Sequence, residues 1–278
     1  MKISKYISLV LITIIAMSCD KNEIEYNTTS LSDEMAEFQL HYFVPLTATS
    51  SNNIYQIKIN DQLYANKTSP LTTYNAVPNG SVSRFYSVKS GEINIKLYKG
   101  TDLELVYDQN VTLNKGKQNV FIYDFNKLPI VFDNGYPYTA NTTEDTDSTA
   151  YVKFYNFLYE TEGVPSSLKL QYQYVDPGTK EVVNLGSPVS FGETTGWQPI
   201  KVIKSTYNSS GYCRIDYKIK VVDENGNVGE DLLLWNSNGN YVNYSDYWKE
   251  YIGRRYHHII GGMRSAKPVA SVRQITAL

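Results

Sequence analysis

The chain has 278 residues, 42% of them hydrophobic, with 26 basic against 28 acidic side chains. That is enough apolar material for two ordinary domains or one large β domain. The near balance of charge, with no basic tract, excludes the phosphate-neutralising surface on which nucleic-acid binding depends.

The first eighteen residues read as a secretory signal. Lys2 and Lys5 supply a positive start, and Ile7 to Met17 form an apolar run broken only by Ser8 and Thr13. Such a run is too short for ~30 Å of hydrocarbon, which takes roughly 20 apolar residues. Ala16-Met17-Ser18-Cys19 resembles a bacterial lipobox, with Ala16 where that pattern prefers Leu. The resemblance implies cleavage before Cys19 and a lipid on its sulfur. Each buried CH₂ contributes ~0.8 kcal/mol, so the two or three acyl chains of a lipoprotein hold firmly where one would not. Residues 19–35 would be the tether. Its start, Asp20-Lys21-Asn22-Glu23-Ile24-Glu25, resembles the acidic export signal of Bacteroidetes lipoproteins. That implies an outer-membrane, lipid-anchored location facing the cell exterior. Removing residues 1–18 leaves 24 basic against 28 acidic residues, and Cys213 then has no partner for an internal disulfide.

From residue 36 onward the pattern is period-two alternation, the mark of half-buried strands. Phe38, Leu40, Tyr42 and Val44 share one face, opposite Glu37, Gln39 and His41. Tyr55, Ile57 and Ile59 follow, then a strand from Val82 to Lys89, and Ile93, Ile95 and Leu97 after the Ser90-Gly91 turn. Leu103 to Leu113 is the next strand, and Asn114-Lys115-Gly116-Lys117 reads as a hairpin loop into Val120 and Ile122. Turns at spacings of roughly ten residues suit a sandwich. Residues 134–149 carry no apolar period and read as a solvated linker. Within it Asp147-Ser148-Thr149 resembles a Bacteroidetes O-glycosylation motif, making Ser148 a candidate acceptor.

Alternation resumes at Val152 and Phe154, then Leu168, Leu170, Tyr172 and Tyr174, then Ile215, Tyr217, Ile219 and Val221. Leu232-Leu233-Leu234-Trp235 reads as a strand buried on both faces. Ser245 is placed to cap a short helix carrying Tyr247, Trp248, Tyr251 and Ile252. Tyr256 to Ile260 and Val269 to Ile275 close the chain as strands.

The halves echo one another. Ala36 to Phe43 parallels Ala150 to Phe157, Gly91 to Leu97 parallels Gly211 to Tyr217, and a basic turn precedes a late strand in each, at Lys115-Gly116-Lys117 and Gly253-Arg254-Arg255. The expected fold is all-β: two tandem immunoglobulin-like or transthyretin-like antiparallel β-sandwiches, 36–133 and 150–278, behind a lipoprotein signal peptide. With the lipobox, the aromatic opening strand, Ile57-Lys58-Ile59-Asn60, Ser90-Gly91, and Val111-Thr112-Leu113 followed by Gly116, the chain resembles Bacteroidetes lipoproteins built from "domain of unknown function 4397" modules. That likeness covers the first half more closely than the second. It implies a fold and supplies no catalytic residues.

Chemistry-bearing motifs are sparse. Gly-x-Ser-x-Gly and a phosphate loop are absent. His257 and His258 point to opposite faces of a regular strand and so read, with His41, as surface or edge histidines, without the three or four ligands a zinc site needs. The stretch Asp223 to Asp231 fails the EF-hand spacing, with Val228 at the sixth position and Leu234 at the twelfth. A looser calcium loop through Asp223, Asn225 and Asp231 stays open beside the simpler reading, an Asn-Gly hairpin. No cofactor is implied. The ligand-binding candidates are aromatic: Trp235, Tyr241, Tyr244, Tyr247, Trp248 and Tyr251, interleaved with asparagines in a chain that holds 25 tyrosines. Rings beside amides suit sugar stacking or a protein contact, and would equally suit the covered end of a sandwich. The functional expectation is therefore a non-enzymatic surface lipoprotein binding a glycan or a protein. The alternative is an enzyme or accessory subunit of extracellular carbohydrate processing, whose paired carboxylates would come from distant strands.

Overall fold

Alternating apolar residues make a strand with one face for a core, and a strand apolar on both faces must lie between two. Both kinds occur in the computed structural model, which describes residues 34–78, 85–133, 147–236 and 238–277. The first half supplies β1 (Met35–Tyr42), β2 (Ile54–Ile59), β3 (Gln62–Ala65), β4 (Asn75–Val77) and β5 (Tyr86–Lys89). It continues with β6 (Gly91–Lys99), β7 (Glu104–Leu113), β8 (Gly116–Ile122) and β9 (Ile130–Asp133). The second half begins with β10 (Asp147–Thr161), β11 (Val164–Pro165), β12 (Lys169–Val175), β13 (Val182–Asn184) and β14 (Thr194–Ile203). After it come β15 (Cys213–Val222), β16 (Val228–Asp231), β17 (Leu233–Trp235), β18 (Tyr241–Asn243) and β19 (Ser245–Glu250). The last are β20 (Arg255–Met263) and β21 (Ser271–Ala277).

Each half builds an inner and an outer sheet on one scheme. The first inner sheet runs β4-β1-β8-β9 with β5 also on β1, and the first outer sheet runs β3-β2-β6-β7. The second inner sheet runs β11-β10-β20-β21 with β14 on β10, and the second outer sheet runs β13-β12-β15-β16 with β19 on β15. The segments that echo in sequence hold matching places: β1 and β10 are central inner strands, and β6 and β15 are central outer strands. The pairing is antiparallel except that β1 runs parallel to β8 and β10 parallel to β20. The loop at residues 114–117 is therefore not a hairpin. β7 ends in the outer sheet on β6, and the chain crosses to put β8 beside β1, because the open edge of β1 lies in the other layer.

Phe38, Leu40 and Tyr42 of β1 meet Ile57 and Ile95 from the outer sheet in one core, and Val152, Phe154, Tyr172 and Ile215 do the same in the second half. A third core joins the two inner sheets. Phe43 and Phe121 from one half pack there with Tyr155, Phe157 and Ile259 from the other. This seam explains a departure from the expected pattern: Gln39 and His41, which alternate as an outward polar face, are wholly buried, because the second inner sheet covers that face. Gly261 lies where the seam is tightest, since a Cβ there would stand 2.7 Å from the Phe43 ring. Polar bonds also cross the seam, from Lys153 Nζ to the Asp133 carbonyl at 2.7 Å and from the Tyr159 hydroxyl to the Tyr123 carbonyl at 2.7 Å.

Two further expectations give way. Residues 245–250 form strand β19, not a helix, and pair with β15 from Ser245↔Lys218 to Glu250↔Cys213. Tertiary pairing overrides the local cap signal, and the strand turns Trp248 inward and Tyr247 outward. Leu232 to Trp235 is not buried on both faces: Leu232 and Leu234 enter the core, whereas Leu233 is exposed.

Candidate functional site

The outer face of the second outer sheet carries an open groove of about 500 Å³. Its floor follows from register. Asn184, Gln173, Lys218 and Ser245 stand side by side across β13, β12, β15 and β19. In the next row Val182 faces Val175, and Asp216 faces Tyr247. The Arg214 guanidinium lies 3.9 Å from the centroid of the Tyr247 ring and donates to Asp216 Oδ1 from Nε and Nη2, both at 2.8 Å. Lys218 and Lys220 share the carboxylate of Asp231, at 3.0 and 2.8 Å. Their hydrogen bonds, Lys220's foremost, hold the Asp231 carboxyl below its ordinary range. Tyr247 is 44% exposed and Val182 is 64% exposed, so the groove has an apolar wall at each side and a polar floor between.

The aromatic candidates do not share one surface. Tyr247 alone borders the groove. Trp248 faces the core, edge-on to His258 with ring centroids 4.6 Å apart. Tyr244 is bonded through its hydroxyl to Tyr217 and the Val272 amide, and Tyr251 lies under Arg254, 4.1 Å from its ring. Trp235 and Tyr241 pair across the β17–β18 hairpin. That hairpin is tied to the inner sheet: Tyr241 donates to Ser265 at 2.8 Å, Ser265 contacts Glu160, and Arg264 grips Glu160 from Nε and Nη2 at 2.7 and 2.6 Å. Tyr241, Leu233 and Val242 remain exposed on it. Ser148 is a residue of β10, opposite Val202, and Cys19 lies outside the described residues.

The histidines are not at the surface. His41, His257 and His258 are wholly buried. His41 Nε2 bonds Asn119 at 3.1 Å, His257 Nδ1 bonds the Tyr155 hydroxyl at 2.9 Å, and His258 Nδ1 bonds the Tyr172 hydroxyl at 3.0 Å. Burial pushes His41 down to about 4, His258 to about 3, and His257 well below its usual value, with His41 and Lys153 adding repulsion at His257. The loop calcium reading finds two of its three ligands, Asp223 and Asp231, already engaged. Asp223 accepts the Asn225 and Asn227 amides and Asp231 holds two lysines, and no three metal-binding side chains cluster among the described residues. Arg214, Asp216, Lys218 and Gln173 were legible only as the polar side of two strands. Nothing in their spacing showed that four strands would set them beside Tyr247.

No family model matches the chain, and no curated protein matches it in sequence. The resemblance to domain-of-unknown-function-4397 modules therefore rests on the lipobox and the strand and turn residues of the sequence alone. Among solved structures the chain is similar to the Bacillus anthracis TIE protein, at 8% identity and a TM-score of 0.25, over 83% of this chain and 34% of that one. It thus spans about a third of that protein's length. It is also similar to a proposed cell adhesion protein from Bacteroides fragilis, at 9% identity and a TM-score of 0.24, over 87% and 97% of the two chains. A proposed adhesin from Bacteroides ovatus gives 9% identity and a TM-score of 0.20, over 87% and 95%. Superpositions this loose transfer no site, so the functional argument rests on the groove.

Proposed function

We propose that this protein is a non-enzymatic surface lipoprotein, anchored in the outer membrane through Cys19 and facing outward, that binds a glycan in the groove beside Tyr247. The observation that carries the reading is the row Val182, Val175, Asp216, Tyr247: an exposed ring and an aliphatic wall flank hydrogen-bonding side chains. A sugar presents the complementary surface, with C–H faces for the ring and hydroxyls for the floor. The seam supports the same reading, because it holds the groove on a rigid stack of sheets instead of a loop.

The test is a glycan array probed with the soluble protein starting at Asp20. Tyr247→Ala should abolish the signal, and Trp248→Ala is the wrong probe because that ring holds the core together. Signal that survives Tyr247→Ala but vanishes in Tyr241→Ala would move the site to the β17–β18 hairpin, where exposed Leu233, Tyr241 and Val242 suit a protein contact. The anchor is tested separately. Cys19→Ala should end incorporation of labelled fatty acid and shift the protein from the membrane to the soluble fraction. Continued labelling would show that Cys19 is not the lipidated residue.

A further inference from the structure

We infer that the ligand of this groove is a neutral, hydroxyl-rich ring, a hexose unit bearing neither carboxylate nor sulfate, and that Asp216 accepts hydrogen bonds from its hydroxyls. The inference rests on the glycan reading above and narrows it. Its first support is size. Strands lie about 4.8 Å apart in a sheet, so Val175 on β12 and Tyr247 on β19, with Asp216 on β15 between them, stand about 10 Å apart. That is room for one sugar ring lying against one wall with its hydroxyl edge over Asp216 and Lys218.

Charge is the second support. Arg214 is bound to Asp216, and Lys218 and Lys220 both hold Asp231, so each cation lining the groove already has its counter-ion. An acidic ligand would have to compete with these carboxylates and would approach Asp216 and Asp246 at the rim. A cationic ligand would meet Arg214, Lys218 and Lys220. Hydroxyls escape both penalties because each donates and accepts, and so can bridge an ion pair without separating it. Arg214 makes both of its contacts to Oδ1, and among the described residues this leaves Oδ2 of Asp216 for an incoming donor. The guanidinium also covers one face of the Tyr247 ring, leaving the other for the sugar.

The full chain, purified in detergent, is applied to an array of neutral hexose oligomers, uronic-acid oligomers and sulfated oligomers at about 50 and about 500 mM NaCl, a range over which screening changes strongly. Neutral oligomers should bind with less than about a twofold change across that range. Asp216→Asn should weaken them about tenfold, the difference between a charged and a neutral acceptor. Both Asp216 and Tyr247 are exposed, so far-UV circular dichroism of the variants should be unchanged. Binding confined to acidic oligomers, falling steeply with salt yet still lost in Tyr247→Ala, would overturn the neutral-ligand inference and leave the groove reading standing. No binding to any oligomer class by the folded protein would overturn both.

Discussion

Replacing Phe121 by Ala should lower the stability of the whole folded unit by about 3–5 kcal/mol, and the loss should register in residues of the opposite half. Phe121 is wholly buried at the centre of the seam. It stacks on His41 at 4.2 Å and on Phe157 at 4.7 Å, and tilts against Tyr155 at 5.0 Å. Two of those rings belong to the second half. Its loss would leave a cavity walled by stiff aromatic groups on two sheets, which collapse poorly around a void. Residues 34–278 form one compact unit, and a seam this apolar ties the unfolding of one sandwich to that of the other.

A convenient reporter exists, because all three tryptophans, Trp197, Trp235 and Trp248, lie in the second half. Denaturant unfolding followed by their fluorescence should show a midpoint lowered by Phe121→Ala, coincident with the transition seen by far-UV circular dichroism. If tryptophan emission kept its wild-type midpoint while circular dichroism split into two steps, the halves would be independent and the seam merely a contact.

Acid should unfold this protein early. An imidazole kept neutral by burial binds its proton in the unfolded chain, near pH 6.5, well before it does so in the folded one. Each such group contributes stability that is present above pH 6.5 and lost as pH falls below it. At pH 5 the loss is about 2 kcal/mol per histidine, or about 6 kcal/mol for His41, His257 and His258 together. Glu250 works in the opposite sense. Burial raises its carboxyl well above the usual range, and among the described residues only the Tyr251 amide bonds it, so its unfavourable ionisation is relieved as pH falls. Relief of one carboxyl recovers no more than about 3 kcal/mol between pH 7 and 5, which leaves a net loss of about 3–4 kcal/mol against a total of roughly 5–15.

The groups facing the seam histidines do not reverse the sign. Lys153 is charged throughout this window, since burial brings it down only to about 8. The carboxylates held low by partners, Asp231 and Glu160, give up their contribution only at more acid pH. Unfolding free energy measured between pH 7 and 5 should therefore fall, and His257→Gln should flatten the slope by about one proton. Glu250→Gln should steepen it and raise stability near pH 8. An unchanged slope in His257→Gln would mean that the imidazole takes up its proton as readily in the folded chain as in the unfolded one, which would overturn the assignment.

How far the sequence could be read depended on whether a residue's environment was set along its own strand or by another layer. Period-two alternation was enough for the strands at Phe38–Tyr42, Ile93–Leu97, Leu170–Tyr174 and Ile215–Ile219, and thus for the all-β class, because the alternation of side chains is a local property of extended backbone. The echo between Ala36–Phe43 and Ala150–Phe157 was legible for the same reason. Local patterns could not show that β1 and β10 would each be covered twice. A polar face of Gln39 and His41 is read as solvent-facing unless something buries it, and what buries it lies more than a hundred residues away in β10 and β20. The same holds for residues 245–250, where Ser245 as a helix cap and Tyr247-Trp248 as a helical stripe were sound local readings. Pairing with β15 defeated them and sent the two rings to opposite sides. Composition and periodicity thus determined a tyrosine-rich β protein, while the stacking of its sheets decided which polar residues are core, which single ring of the aromatic stretch meets a groove, and which charges surround it. Burial and register are properties of pairs of distant strands, and a single strand carries no record of its partner.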